Sequence, residues 1–274
     1  MSCLVQISDP HFGTERAPVV EALVALVQGL APELVVLSGD ITQRATVAQF
    51  GAARTFCERL RPASVLAIAG NHDVPLFNLA ARLFAPYARH QQAFGPVLEP
   101  VHASADWLVI GVKTTRRWRH QHGQVSAAQI AHVAQRLRAA TPAQIRVVVV
   151  HQPVAVAQPR DARDLLRGHE AAVRAWSAAG ADLVLGGHIH LPYVLPLHAQ
   201  HAGLARRLWC VQAGTALSTR VRAEAGNSVN VLRHGLGAAG RRQVMVERWD
   251  YDEASDRFEP VARQALDLET RVEP

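Results

Sequence analysis

The sequence predicts an α/β fold built around parallel strands. Three observations predict it: short apolar runs rich in β-branched residues, helically spaced segments between the first three runs, and a polar island after each run. The runs cover residues 4–7, 34–37, 65–68, 147–150 and 183–185. Runs this short and rich in β-branched residues suit strands covered on both faces. Residues 19–30 and 47–60 carry apolar side chains at helical spacing. Strand, helix, strand in repetition gives parallel strands joined by right-handed crossovers. Ligands of such sheets sit beyond the carboxyl ends of the strands.

The islands fall at those ends. They are Asp9-Pro10-His11, Gly39-Asp40, Gly70-Asn71-His72-Asp73, His151 and Gly187-His188-Ile189-His190. Asp9, His11, Asp40, Asn71, His151, His188 and His190 can all ligate metal. Oxygen and imidazole donors in this mixture suit two divalent or trivalent ions such as Mn, Fe or Zn. One side chain must then serve both ions, and a carboxylate such as Asp40 has two oxygens with which to bridge. Two metals roughly 4 Å apart are a device for hydrolysing phosphate esters. Singly, an Asp ending a strand is a turn former, Asn71 a turn residue and His151 a core histidine. The joint pattern carries the assignment. His90, His102, His120, His122, His132, His169, His198, His201 and His234 are scattered and read as surface residues, with only His120 and His122 set apart.

At this point the chain resembles the calcineurin-like metallophosphoesterases. Their motif set D-x-H, G-D, G-N-H-[DE], H and G-H-x-H is present in full and in order over residues 9–190. With Asn-His-Asp in the third block and a similar size, the chain is similar to the bacterial class III cyclic-nucleotide phosphodiesterases. The resemblance implies a four-layer α/β/β/α sandwich of two mixed sheets flanked by helices, around a dinuclear centre. Asp9, His11, Asp40 and His190 would hold one metal, and Asp40, Asn71, His151 and His188 the other. His72 would sit over the substrate phosphate and serve the leaving oxygen, with Asp73 orienting its ring. Pro10 departs from the usual polar or small residue, stiffening the loop and removing one backbone donor.

Candidate substrate contacts are Asn71, His72, Arg44 and Arg220. A guanidinium at Arg44 can grip a phosphate with two hydrogen bonds. Arg220 and Arg222 lie in a polar loop, residues 214–230, whose other reading is a solvated loop. Residues 113–122 hold Arg116, Arg117, Trp118, Arg119, His120 and His122, a mixture able to stack a base or to form a lid; a lid or cap edge is the reading adopted. The implied substrate is a small anionic phosphodiester, foremost a 3′,5′-cyclic nucleotide such as cAMP. A UDP-2,3-diacylglucosamine-type pyrophosphatase of lipid A synthesis is the alternative, ahead of a nuclease or a non-catalytic metal-binding scaffold.

The rest of the chain completes the plan. Ser126 and Gln129 form a capping box opening a helix that runs to about Arg138. Residues 161–179 read as one or two helices. After Pro192, residues 194–197, 207–212, 228–233, 244–251 and 258–262 read as antiparallel strands of the second sheet. Residues 75–94 predict an amphipathic helix whose aromatic face is core, or else the place where an acyl chain or a membrane surface docks.

At 274 residues and 49% hydrophobic content the chain suits one domain, 1–274, with 262–274 an exposed tail. A formal net charge of +6, almost all of its basic side chains arginine, favours anionic substrates. No basic run has the length of a nucleic-acid tail, so no nucleic-acid partner is indicated. Abundant alanine and arginine point to a GC-rich bacterial genome. The three cysteines, Cys3, Cys57 and Cys210, are too few and too widely spaced for a disulfide framework and fit a reducing cytosol. With no signal peptide before the first strand and no apolar run of bilayer length, the chain is expected in the cytoplasm. Oligomeric state is not legible.

Overall fold

The computed structural model describes residues 2–61, 63–236 and 242–269. In chain order the elements are β1 (Cys3–Ile7), α1 (Ala17–Leu30), β2 (Leu34–Leu37), α2 (Val47–Arg59), β3 (Ser64–Ala67), α3 (Leu79–Phe84), α4 (Ala88–Phe94), β4 (Val101–Ala103), β5 (Trp107–Gly111), α5 (Ala127–Arg138), β6 (Ile145–Val149), α6 (His169–Ala178), β7 (Leu183–Gly186), β8 (Tyr193–Pro196), α7 (Leu197–Gln200), β9 (Trp209–Gln212), β10 (Ser228–Leu236), β11 (Arg242–Asp252) and β12 (Arg257–Asp267). Short 3-10 turns occupy Asn71–Asp73 and Pro159–Asp164.

The strands form two sheets, in the orders β12-β11-β10-β1-β2-β3 and β4-β5-β6-β7-β9-β8. Strands β1, β2 and β3 are parallel, as are β5, β6, β7 and β9, while β10 to β12, β4 and β8 run antiparallel to their neighbours. Alternate residues of each strand serve opposite faces. Leu4, Val36 and Leu66 of one sheet meet Val109, Val147 and Leu185 of the other in a dry central layer. Val5, Val35 and Leu37 turn outward onto Val19, Leu23 and Val27 of α1 and Ala53 and Phe56 of α2. Val148 and Val184 face outward onto Val133 and Leu137 of α5 and Val173 and Trp176 of α6. The result is the four-layer α/β/β/α arrangement expected. A polar latch joins the sheets near their carboxyl ends: Gln6 Nε2 donates to the Gly186 carbonyl at 2.9 Å, and Asn230 Nδ2 donates to Gln6 Oε1 at 3.0 Å.

Several expectations need correction. Residues 75–94 do not form one helix. Pro86 cannot continue a helix, so the segment divides into α3 and α4, and Phe77, Leu79, Leu83 and Phe84 are exposed rather than core. The strands after Pro192 do not all belong to the second sheet: β8 and β9 join it, β9 parallel to β7, whereas β10, β11 and β12 extend the first sheet from β1, to which β10 is antiparallel. The second sheet also gains β4 and β5, which the sequence reading passed over although Trp107–Gly111 is fully buried. Strand β12 extends to Asp267, because its pairing with β11 continues to Gln243↔Asp267, so residues 262–267 are sheet and not tail. Residues 270–274 of the expected tail lie outside the described residues. The β11–β12 pairing shifts register between Arg248 and Trp249, where Trp249 pairs with Pro260.

His90 is not a surface residue. It is fully buried on α4 between the rings of Phe50 and Phe94, at centroid distances of 6.1 and 5.2 Å. Neither ring nitrogen has a hydrogen-bond partner among the described residues. Burial lowers its pKa from 6.5 to about 4. The unfolded chain therefore takes up this proton first, and stability falls as pH drops from 6.5 toward 4. A gap of this size corresponds to about 3 kcal/mol once both states are protonated. His90→Leu should raise the melting temperature at neutral pH and flatten the decline between pH 6.5 and 4, measured by thermal unfolding across that range. An unchanged pH slope would show that His90 is not the proton acceptor.

Candidate metal centre

The islands meet where β1, β2, β3, β6 and β7 end. The backbone there is unusual. Of eight non-glycine residues with positive φ among those described, five are Asp9, His11, Asp40, His188 and His190, at φ of 50, 45, 47, 75 and 56°. Such conformations are costly for residues with a Cβ and persist only where the surroundings over-determine them. Here the Asp9 N–H donates to the Gly39 carbonyl and the His11 N–H to the Asp40 carbonyl, both at 3.1 Å, and the Gly187 N–H donates to the His151 carbonyl at 2.9 Å. A side chain at Gly70 would collide with the backbone and carboxylate of Asp40, and one at Gly187 with Ser8 and Asp9.

Asp9 is fully buried. Its Oδ2 accepts from Ser8 Oγ at 2.6 Å and from the His188 N–H at 2.9 Å. Its Oδ1 lies 3.3 Å from His190 Nε2 and 3.9 Å from His11 Nε2. Those two imidazole nitrogens are themselves 3.1 Å apart. His190 has its Nδ1 on the Arg220 carbonyl at 2.5 Å. When that nitrogen donates, the Nε2 lone pair points inward. His151 repeats the device: Nδ1 meets the Ser38 carbonyl at 2.9 Å, leaving Nε2 3.2 Å from Asp40 Oδ1 and 3.3 Å from Asn71 Oδ1. His188 stands beside it at a ring separation of 5.1 Å, its buried Nδ1 without a hydrogen-bond partner among the described residues.

The Asp40 carboxylate is placed between the groups. Its Oδ1 faces His151 and accepts the His72 N–H at 2.7 Å, while Oδ2 faces His11 Nε2 at 3.9 Å. Three clusters with ligand atoms close enough to share an ion result: Asp9, His11 and His190; His11, Asp40 and His72; Asp40, His151 and His188. Lone pairs of carboxylate, amide and imidazole converging in a buried space repel unless a cation or proton lies among them. The pKa directions agree. Burial opposes charge on Asp9 and Asp40, yet the surrounding histidines overcome it and hold both carboxyls below the usual range. Burial also opposes a charged His151, but Asp40 and Asp9 push it up to about 9. Burial holds His11 down to about 3, the neutral form that ligates.

His72 sits at the mouth. Its Nδ1 lies 2.9 Å from the Gln43 carbonyl, and Arg220 Nη1 stands 3.1 Å from its Nε2 and 3.1 Å from Gln43 Oε1. Asp73 does not orient this ring. Its carboxylate accepts from the N–H groups of Ile41 (3.0 Å), Thr42 (2.7 Å) and Gly70 (2.9 Å) and from the Thr42 hydroxyl (2.8 Å). The 3-10 turn carries it away from its sequence neighbour, and it ties the loop after β2 to the loop after β3. Burial and Asp40 push it up to about 7 against those donors. Arg44 also goes elsewhere: its exposed guanidinium lies 5.5 Å from the Phe77 ring, outside the cleft lining. Arg220, in contrast, lines the cleft with Asp40, Asn71, His72, His188 and His190, in a volume of about 660 Å³. Arg222 is held by both oxygens of Asp161 at 3.1 Å. A second groove of about 750 Å³, lined by Ala22, Leu26 and Trp249, shares no residue with the cleft and none of the ligating groups.

Asp164 was missed by the sequence reading. It lines the cleft with Oδ1 3.8 Å from His188 Nε2, and His188 is the chief cause of its lowered pKa. Its only signal was an acidic residue in a stretch read as helix. Gln43 was missed because its backbone, not its side chain, meets the His72 ring.

A buried two-lobed nest of carboxylate and imidazole, at the carboxyl edge of a four-layer sandwich, defines a dinuclear-metal hydrolase. The chain belongs to the calcineurin-like phosphoesterases, whose family model matches residues 4–192, and it is a metal-dependent phosphoesterase. A Synechococcus protein described as a probable cyclic nucleotide phosphodiesterase is 26% identical over 219 residues, 76% of this chain and 78% of that one. Among solved structures, purple acid phosphatase PPD1 of yellow lupin aligns with TM-score 0.68 and 10% identity over 97% of the chain, which spans about half of that enzyme (53%). A dimetal phosphatase from Danio rerio aligns with TM-score 0.63 and 12% identity, covering 98% of this chain and 99% of the other. At such identities the likeness is one of fold.

Asp40→Ala removes the carboxylate that faces both groups. Metal analysis of the Mn-loaded variant should show loss of both ions together with activity. Retention of two equivalents would refute a bridging Asp40.

Proposed function

We propose that the chain hydrolyses phosphodiester bonds, foremost that of a 3′,5′-cyclic nucleotide such as cAMP. The observation that carries this reading is the His72–Arg220 pair at the mouth of the metal-ligand nest, one a proton carrier and the other a fixed cation. In this reading Asp9, His11, Asp40 and His190 hold one ion and Asp40, Asn71, His151 and His188 the other, with Mn, Fe or Zn all suited to the donors. The ions would supply charge neutralisation and an activated water. The protein supplies the rest. With Arg220 donating to Nε2, the His72 ring accepts there and gives its Nδ1–H to the Gln43 carbonyl. To act as the acid, Nε2 takes up a proton and Arg220 swings onto the phosphate. The proton then passes from Nε2 to the leaving oxygen. The Gln43 carbonyl holds the ring through both states.

The cyclic-nucleotide choice is supported by the Synechococcus relative. A nucleotide-linked lipid of the UDP-2,3-diacylglucosamine type is the second reading, favoured by the exposed apolar side chains of Phe77 and Phe84. No helix among the described residues is long and apolar enough to cross a membrane. A cytoplasmic bacterial enzyme is the setting we infer from composition.

Two outcomes test this reading. His72→Ala should retain both ions and lose about 10²–10⁴-fold in kcat on poor leaving groups, with far less loss on bis-p-nitrophenyl phosphate; an unchanged rate on a poor leaving group removes His72 from the reaction. The Mn-loaded protein should turn over cAMP with kcat/KM of about 10⁴ M⁻¹s⁻¹ or more. A value hundreds of times lower beside intact bis-p-nitrophenyl phosphate hydrolysis moves the assignment to nucleotide-linked lipids.

A further inference from the structure

The cap beside the cleft is apolar, aromatic and cationic at once. Phe77, Leu79, Leu83, Phe84 and Trp118 are 78, 67, 51, 86 and 67% exposed. They come from two segments that the structure binds together: Arg117 Nη1 donates to the Leu83 carbonyl at 2.6 Å, and Arg82 Nη2 donates to the Arg119 carbonyl at 2.8 Å. Arg44 joins from the loop before α2, stacked on Phe77. The sequence carries no Asp or Glu between Asp73 and Glu99, and none between Asp106 and Asp161. Neither segment therefore supplies a carboxylate to neutralise the exposed Arg44 and Arg117. The patch borders the site, since the His120 ring lies 6.2 Å from that of His72.

We propose that this face docks on an anionic lipid surface. Large apolar and aromatic side chains beside the guanidinium groups of Arg44 and Arg117, which form no ion pair among the described residues, match the boundary between acyl chains and lipid phosphates. Charge decides against a second copy of the chain. A two-fold contact places the same patch on both partners, and Arg44 and Arg117 would face their own copies without a carboxylate between them. On an anionic bilayer the same arginines find phosphate while Phe77, Phe84 and Trp118 enter the headgroup region. Docking there sets the mouth of the cleft beside lipid phosphates. This inference goes beyond the hydrolase reading and is tested without catalysis.

The experiment is co-sedimentation of the full chain with vesicles of equimolar phosphatidylglycerol and phosphatidylcholine, beside vesicles of phosphatidylcholine alone. The wild type should bind the anionic vesicles at least about tenfold more tightly and lose most of that binding when salt rises from about 0.05 to about 0.5 M. The double variant Phe77→Ser/Phe84→Ser should lose about tenfold or more in vesicle affinity, while its hydrolysis of bis-p-nitrophenyl phosphate in solution stays unchanged. No binding to anionic vesicles at low salt overturns the proposal, as does equal binding by the double variant. A concentration-dependent dimer in sedimentation velocity that the double variant abolishes also overturns it, by assigning the face to a second copy.

Discussion

Everything at this site depends on keeping seven lone-pair donors together at a largely buried strand edge. Asp9, His11 and His151 are fully buried, and Asp40 nearly so. A packed apolar interior gives no reason for them to gather, and mutual repulsion gives a reason for them not to. The backbone supplies the constraint. Five of the donor residues adopt left-handed conformations, each costing of order 1–3 kcal/mol. Hydrogen bonds between neighbouring strand ends hold those turns closed. Stability is thereby exchanged for a preset geometry of the donor groups.

The two sheets must also end at one edge, because the donors come from both. The Gln6 to Gly186 bond fixes β1 against β7, and Asn230 holds Gln6 in turn. Within the first sheet, the Asp73 carboxylate gathers amides from the loops after β2 and β3. That is the structural use of the residue which, by sequence adjacency, seemed the partner of His72. The histidine's true support is a main-chain carbonyl, a group present at every position and therefore invisible as a motif.

The central features were legible for a physical reason. Strands buried on both faces produce runs such as residues 147–150, and donors at their ends break those runs abruptly. Asp9, Asp40 and His190 stand out because little else explains them there. Contacts set by tertiary packing were not legible. His90 shares its chemistry with the scattered surface histidines, and only the packing of α4 against Phe50 of α2 buries it. Arg44 follows Gly-Asp closely enough to suggest phosphate, yet the local turn sends it to Phe77. The split of α3 from α4 was announced by Pro86, while the exposure of Phe77 and Phe84 was not, since apolar spacing alone cannot say which face is covered.

The register shift opposite Pro260 has a consequence for the outer boundary of the first sheet. Strand β12 is eleven residues long and forms that sheet's edge. A straight edge of this length offers a ladder of free amides and carbonyls to any extended chain. Pro260 has no amide hydrogen to offer, and the irregularity beside it bends the strand out of flat register. Exposed Arg257, Glu259 and Arg263 add charge along the same strand. The edge is therefore a poor template for intermolecular strand addition.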